Sequence, residues 1–295
     1  MLAGNLVAYA ASDRPGTSAL PNHITVRRMR DGHHWRINST FGAAGVVDWL
    51  DLTGDRIVWT DEQHETSDSD PGTPWRMFTK AHPDSRPVLI DSSESSGQNF
   101  VPLPRAGDGK VVWTIPAGRA MALKMWDAGR VTTIVRSVSA SDFGVVQDEV
   151  FYDGPSSRTS RDIFAYSTRT GRISKFTSSG RAYSPAGSGY VVWQEPPNAD
   201  PESLWEERAD GLGGASKIAD SGTSGNIVAG DCFAAYLTEE GAQIVDAQGR
   251  WQRELAPEVS ILGRVAADGK HVTWAYAPGF ATNTGLTTVY VATIH

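Results

Sequence analysis

Short apolar runs, each opened by glycine or aspartate and closed by an aromatic residue, recur seven times along the chain. They read GNLVAY (Gly4 to Tyr9), GDRIVW (Gly54 to Trp59), GKVVW (Gly109 to Trp113), DEVFY (Asp148 to Tyr152), GYVVW (Gly189 to Trp193), DCFAAY (Asp231 to Tyr236) and GKHVTW (Gly269 to Trp274). The closing aromatics follow one another at steps of 50, 54, 39, 41, 43 and 38 residues. These runs barely alternate, so both faces of each strand are expected to be buried. A second set of runs, which includes DIFAYST from Asp162, WRMFTKA from Trp75 and TTVYVAT from Thr287, alternates better and predicts the next strand of each unit. A third set, such as HHWRINS and ASKIADS, is more polar and predicts an outer strand. Turns such as Arg169-Thr170-Gly171 join them as hairpins. Helical periodicity is almost absent.

An all-β repeat near 40 residues, with about four strands per unit and apolar character fading outward, is the pattern of propeller blades. The expected fold is therefore a β-propeller of four-stranded antiparallel blades, seven by the count of aromatic-closed strands, with six as the alternative. Each blade buries its faces only against its neighbours, so residues 1–295 are expected to form a single domain. The pattern shows no inner strand before Gly4 and no outer strand after His295. Either a ring closed by pairing the termini or a chain trimmed inside a blade accounts for this, and Met1 directly before a strand favours sequence cut away upstream.

The stretches ASDFGVVQDEVFY, DIFAYSTRTGRISKFT and SPAGSGYVVWQE show a turn, a VVW-type strand, an alternating strand and a G-K-type return. This layout resembles the TolB-like, or WD40-like, propeller repeat, and the resemblance extends over nearly the whole chain. Its motifs define blades and not catalysis. What it implies is a binding platform, often exported in bacteria, that recognises protein, peptide or sugar. The sequence departs from relatives of that kind in showing no N-terminal TolB domain, no appended peptidase domain and no GxSxG elbow.

Charge and composition narrow the partners. The net charge of −7 argues against a nucleic-acid backbone or an anionic membrane as the main partner. No apolar run approaches the length of a membrane helix, so no membrane insertion is expected. The first residues lack a basic segment followed by an apolar stretch, so a signal peptide is absent from this sequence, and a secreted or periplasmic location is still favoured. Cys232 is the only cysteine, which excludes an intrachain disulfide and a cysteine-rich metal site. A monomer is expected.

Candidate chemistry gathers in the connections between second and third strands, which are long and differ from blade to blade, as in Ala10–Asn22, Thr60–Pro74, the TIPAGRA stretch, Asp153–Arg161 and Gln194–Glu202. Variable loops on a rigid scaffold are where function concentrates, and the mouth of a central channel is the expected site. Acidic residues begin several of these loops: Asp13, Asp61, Glu62, Asp153, Glu195 and Glu239. They predict a collar for a cation, an amine or a basic peptide, or else carboxylates that bond nearby backbone N–H groups. His64 lies among Asp61, Glu62, Glu65, Asp68 and Asp70, an oxygen-rich set in which calcium is possible but which matches no EF-hand spacing. No other cofactor is expected. Trp49, Trp75, Phe100, Tyr183, Tyr276 and Phe280 fall near this face in sequence position and predict an aromatic floor suited to a sugar, a flat molecule or a proline-rich peptide, with plain packing as the alternative.

The function expected first is binding of a protein, peptide or small-molecule ligand on this face. The alternative is a hydrolase or lyase acting there on a small or cyclic molecule. Its general base would come from Asp61, Asp153 or Glu195, and Arg119, Arg158, Arg161 or Arg181 would hold an anion. A structural module of a larger exported protein is the third reading.

Overall fold

The structure, a computed structural model, describes residues 1–13, 20–54, 56–63, 73–97, 100–138, 143–155, 161–177, 189–194, 203–220, 223–238, 241–257, 265–276 and 288–295. These residues form seven antiparallel sheets in chain order, the blades of a β-propeller, with one short helix. Contacts divide the chain into two compact units, Met1–Ser137 and Val138–His295.

The first unit holds three four-stranded blades. Blade 1 comprises β1 (Leu2–Ala3), β2 (Leu6–Ala11), β3 (His23–Arg28) and β4 (His34–Asn38). Blade 2 comprises β5 (Gly45–Thr53), β6 (Arg56–Gln63), β7 (Trp75–Lys80) and β8 (Val88–Ser92). Helix α1 (Ser93–Ser96) follows, started by a capping box in which Ser92 and Ser95 bond each other's backbone N–H. Blade 3 comprises β9 (Arg105–Gly107), β10 (Lys110–Ala117), β11 (Ala120–Asp127) and β12 (Arg130–Val138).

The second unit holds four blades. Blade 4 comprises β13 (Phe143–Val146), β14 (Glu149–Pro155), β15 (Arg161–Ser167) and β16 (Ile173–Thr177). Blade 5 shows three described strands, β17 (Tyr190–Gln194), β18 (Ser203–Arg208) and β19 (Ser216–Asp220). Blade 6 comprises β20 (Thr223–Ala229), β21 (Phe233–Thr238), β22 (Gly241–Asp246) and β23 (Gln252–Pro257). Blade 7 has β24 (Ala266–Asp268), β25 (His271–Tyr276) and β26 (Thr288–Thr293). Among the described residues no outer strand follows β26.

The second strand of each blade explains the repeat. Where both neighbouring blades belong to the same unit, its residues alternate between two apolar interfaces, one with each of them. In β6, Ile57 and Trp59 join Ala8, Ile24 and Val26 of blade 1, while Val58 joins Val111 and Trp113 of blade 3. In β17, Val191 and Trp193 pack with Phe151 and Ile163 of blade 4, while Val192 packs with Ile227 and Tyr236 of blade 6. Both faces are buried, which is why alternation vanishes from these strands. The closing aromatic takes the same side each time: Trp59, Trp113, Trp193, Tyr236 and Trp274 all face the preceding blade. Several stack on the residue opposite them in the third strand. Trp59 lies 5.4 Å from Phe78, Tyr152 lies 5.7 Å from Phe164, and Trp274 lies 5.5 Å from Tyr290. Such pairs add to plain area burial.

Three details depart from the sequence reading. An inner strand does precede Gly4: Leu2 and Ala3 pair with Val7 and Leu6. At two residues it is too short for any period to reveal. The TIPAGRA stretch is not a long loop, because Ala117 pairs with Ala120 across a two-residue turn at Gly118-Arg119, and Gly118 adopts φ 69°. Trp75, placed near the loop face by its sequence position, is a fully buried core residue. The inner strand expected around Pro185–Gly187 lies outside the described residues.

Candidate functional site

In the first unit the connections β2–β3, β4–β5, β6–β7 and β8–β9 leave their blades at the same end. The residues there are held by a knot around Asp61. This carboxylate is fully buried on β6. It accepts from Ser39 Oγ at 2.6 Å, from Thr40 Oγ1 at 2.7 Å, and from the Thr40 backbone N–H. Gly45 lies against the same hydroxyl, and a Cβ at that position would fall 1.6 Å from Ser39 Oγ. Asp61 thus ties the β4–β5 connection of blade 1 to β6 of blade 2.

Next to the knot, two arginines lie on two aromatic rings. Arg76 stacks on Phe41 with its guanidinium carbon 4.6 Å from the ring centre, and Arg105 stacks on Trp49 at 4.9 Å. Trp49 Nε1 donates to the carbonyl of Pro104 at 2.8 Å, and Thr60 Oγ1 donates to that of Pro102 at 2.8 Å. These bonds clamp the 100–104 segment over blade 2, and Phe100 on that segment is 43% exposed. Beneath lies Asp51, which accepts from the backbone N–H of Ala106 at 2.9 Å and of Leu52 at 3.0 Å. Burial raises its carboxyl above the usual range, opposed by the Arg105 charge and these bonds.

Asp13 is exposed at the end of blade 1, where Arg36 donates to both its oxygens. That bond holds its carboxyl down at about 2. His23, at the start of β3, is buried and bonded to Asn22 at 2.9 Å. Burial, then the Arg36 charge, lowers its pKa. Glu62 is half-buried on β6, opposite Trp75. Arg119 is exposed on its tight turn. Of the predicted site residues, Trp49 lies on β5, Asp61 and Glu62 lie on β6, and Phe100 is exposed on the segment before β9. The structure adds Phe41, Arg76 and Arg105, which the sequence reading missed. Their signal is faint: Arg76 is the second residue of a third strand and Arg105 opens an inner one, each beside apolar residues.

In the second unit Asp153 is buried on β14, opposite Ile163, and Arg161 opens β15 opposite Pro155. Glu206 on β18 is a further carboxylate that spacing does not reveal. Burial, and then the negative charge of Asp246, raise it to about 8. Asp246 is itself pushed up by burial, and bonds from Arg250 and the Gln248 N–H more than offset this. Among the described residues no group of three or more His, Cys, Asp or Glu side chains is arranged to hold a metal. His64, Glu195, Arg158, Arg181, Tyr183, Glu239 and Phe280 lie outside the described residues, as does the Tyr276 side chain. No described helix is long and apolar enough to cross a membrane.

No protein-family model matches the chain, and no curated protein matches it. Solved structures do. The β-propeller domain of the Trilobed protease from Pyrococcus furiosus, described as having an open velcro topology, is 12% identical with a TM-score of 0.64. That match covers 99% of this chain and 92% of that domain. TolB from Acinetobacter baumannii is 10% identical with a TM-score of 0.52, over 84% of this chain and 62% of that one. The fold is a TolB-like β-propeller. A prolyl endopeptidase is 8% identical with a TM-score of 0.64, over 99% of this chain but 49% of its own length. The chain thus spans about half of that peptidase. At these identities the likeness is one of fold.

Proposed function

We propose that residues 1–295 form one propeller domain that binds a protein, peptide or small-molecule ligand at the loop ends of its blades. The observation that carries this reading is the pair of stacked arginines, Arg76 on Phe41 and Arg105 on Trp49, with Phe100 exposed on the segment that leads into Arg105. Planar guanidiniums already held on aromatic faces bind carboxylates with little further loss of side-chain freedom. The adjoining rings suit proline or a flat ring. An uncharged or acidic ligand segment fits this patch better than the basic one that an acidic collar would take. Asp61 spends its oxygens on Ser39 and Thr40, which gives it a positional role.

The alternative, a hydrolase or lyase on the same face, draws its support from Asp51. Its raised carboxyl lies beside Arg105, under the same patch. Selection of a displayed random-peptide library, with counter-selection on a Trp49→Ala/Phe100→Ala/Arg105→Ala variant, separates these ideas. Enriched acidic or proline-containing peptides that bind the parent protein and lose about tenfold or more in affinity to the variant support binding. Equal recovery on both proteins sinks the assignment of this site.

A further inference from the structure

Arg56 opens β6 at the end of the blades opposite the candidate site, beside the β5–β6 turn. It is partly buried, and its guanidinium carbon lies 4.9 Å from the ring centre of Trp126, a buried residue on β11 of blade 3. Nη1 donates to Thr79 Oγ1 at 3.4 Å, and Thr79, fully buried, gives its own hydroxyl proton to the Ile57 carbonyl at 3.1 Å. Nε is buried with no acceptor. Among the described residues no carboxylate pairs with Arg56. Other cations of this unit with little exposure are matched. Lys124 meets Asp91 at 3.4 Å, Lys110 meets Asp108 at 2.8 Å, and the Lys80 amine donates to the Pro83 carbonyl.

Taking a guanidinium partly out of water without a carboxylate beside it is unfavourable, and each N–H left without an acceptor adds to the cost. The Trp126 ring face offsets part of this. A buried donor that no protein group meets is commonly met by a bound water or ion. Water supplies an acceptor but leaves the charge uncompensated; an anion supplies both. A further donor stands beside the guanidinium. Thr53 ends β5 directly opposite Arg56, so the two side chains leave the sheet on the same face, toward blade 3.

We propose that Arg56 and Thr53 form a second ligand site, for a small oxyanion, between the ends of blades 2 and 3. The ligand oxygen meets Nη2, the guanidinium nitrogen that bonds no described residue, and the Thr53 hydroxyl donates from the same face. Trp126 and Thr79 already hold the guanidinium in place, so little side-chain freedom is lost when the anion arrives. The site goes beyond the binding proposed at the loop ends. It lies at the other end of the blades and shares no residue with the patch of Arg76 and Arg105. Nothing in the GDRIVW run marks it, because Trp126 and Thr79 come from other strands.

Thermal unfolding of the whole chain in inorganic phosphate, against sodium chloride at matched ionic strength, tests this. The wild-type protein is expected to gain about 1–3 °C in about 20 mM phosphate. Arg56→Met keeps an apolar stem on Trp126 and removes the charge and the stranded N–H. It is expected to melt no lower than wild type in chloride and to lose the phosphate gain. Thr53→Val is expected to weaken phosphate binding about threefold or more in titration calorimetry. Acetate separates the two sources of an oxyanion. A gain equal to that from phosphate, and equally dependent on Arg56, assigns a carboxylate ligand; a gain from phosphate alone assigns a phosphate. No gain from either anion overturns the proposal. So does an Arg56→Met protein that melts about 5 °C or more below wild type in chloride, because the guanidinium is then already satisfied within the protein. A gain that Arg56→Met leaves intact overturns it as well, and Arg105→Met then shows whether the anion sits on the loop-end arginines instead.

Discussion

Asp61 and Glu206 are both buried carboxylates, yet their surroundings give them opposite characters. Asp61 has hydroxyl and N–H donors on its oxygens, so removing it strands those donors. Asp61→Ala is expected to cost about 2–4 kcal/mol in urea unfolding. Glu206 is raised by burial and by Asp246. In the unfolded chain it loses its proton near 4.5, and in the folded protein near 8. Between those values the folded state holds a proton that the unfolded state has released, so stability falls as pH rises from about 4.5 to 8. The full effect is on the order of 3–5 kcal/mol. Glu206→Gln is expected to flatten this fall, and melting temperatures at pH 5 and pH 8 test it. An unchanged slope would place the proton elsewhere. Trp193 packs between blades 4 and 5 with Phe151, Ile163 and Phe176. Trp193→Ala is expected to destabilise by about 3–5 kcal/mol, and a loss under about 1 kcal/mol would contradict that packing.

At the scale of strands, the repeat was legible because the second strand has both faces buried and ends in a ring. That need writes a run of Val, Ile and Trp which survives variation in the loops. The alternating third strands and polar outer strands were legible for the same reason. Two-residue β1 left no such trace. The Gly118-Arg119 turn was hidden because β10 runs on through Pro116 and Ala117, loop-like residues that pair with Met121 and Ala120 of β11. The site was less legible than the fold. Asp61 and Trp49 are marked by position, but the partners that define their roles, Ser39, Thr40, Pro104 and Arg105, come from neighbouring blades. Gly45 is a case in point: nothing in its local sequence shows that Ser39 Oγ fills the place of a Cβ. Gly45→Ala is expected to displace Ser39 and cost about 2 kcal/mol or more, measured beside Asp61→Ala. The double variant should lose less than the sum of the two, since both break one knot.

For the whole molecule, the proposal of one domain from residue 1 to 295 predicts a single calorimetric unfolding transition. Two separate transitions would instead make the units Met1–Ser137 and Val138–His295 domains in their own right. Within each unit the blades have a sense of direction, since every closing aromatic assigned to an interface faces the blade made before it. A ribosome releases those blades in that order. Each new ring can dock at once on a surface already built, and that surface offers large groups of its own: Trp75 and Met77 of blade 2, Phe151 and Phe176 of blade 4, and Phe233 of blade 6. Removing a following blade would uncover Trp75, Phe151 or Phe233, and removing a preceding one would uncover the closing aromatic of the next. A growing chain therefore presents a large apolar face to solvent until the next blade arrives to cover it.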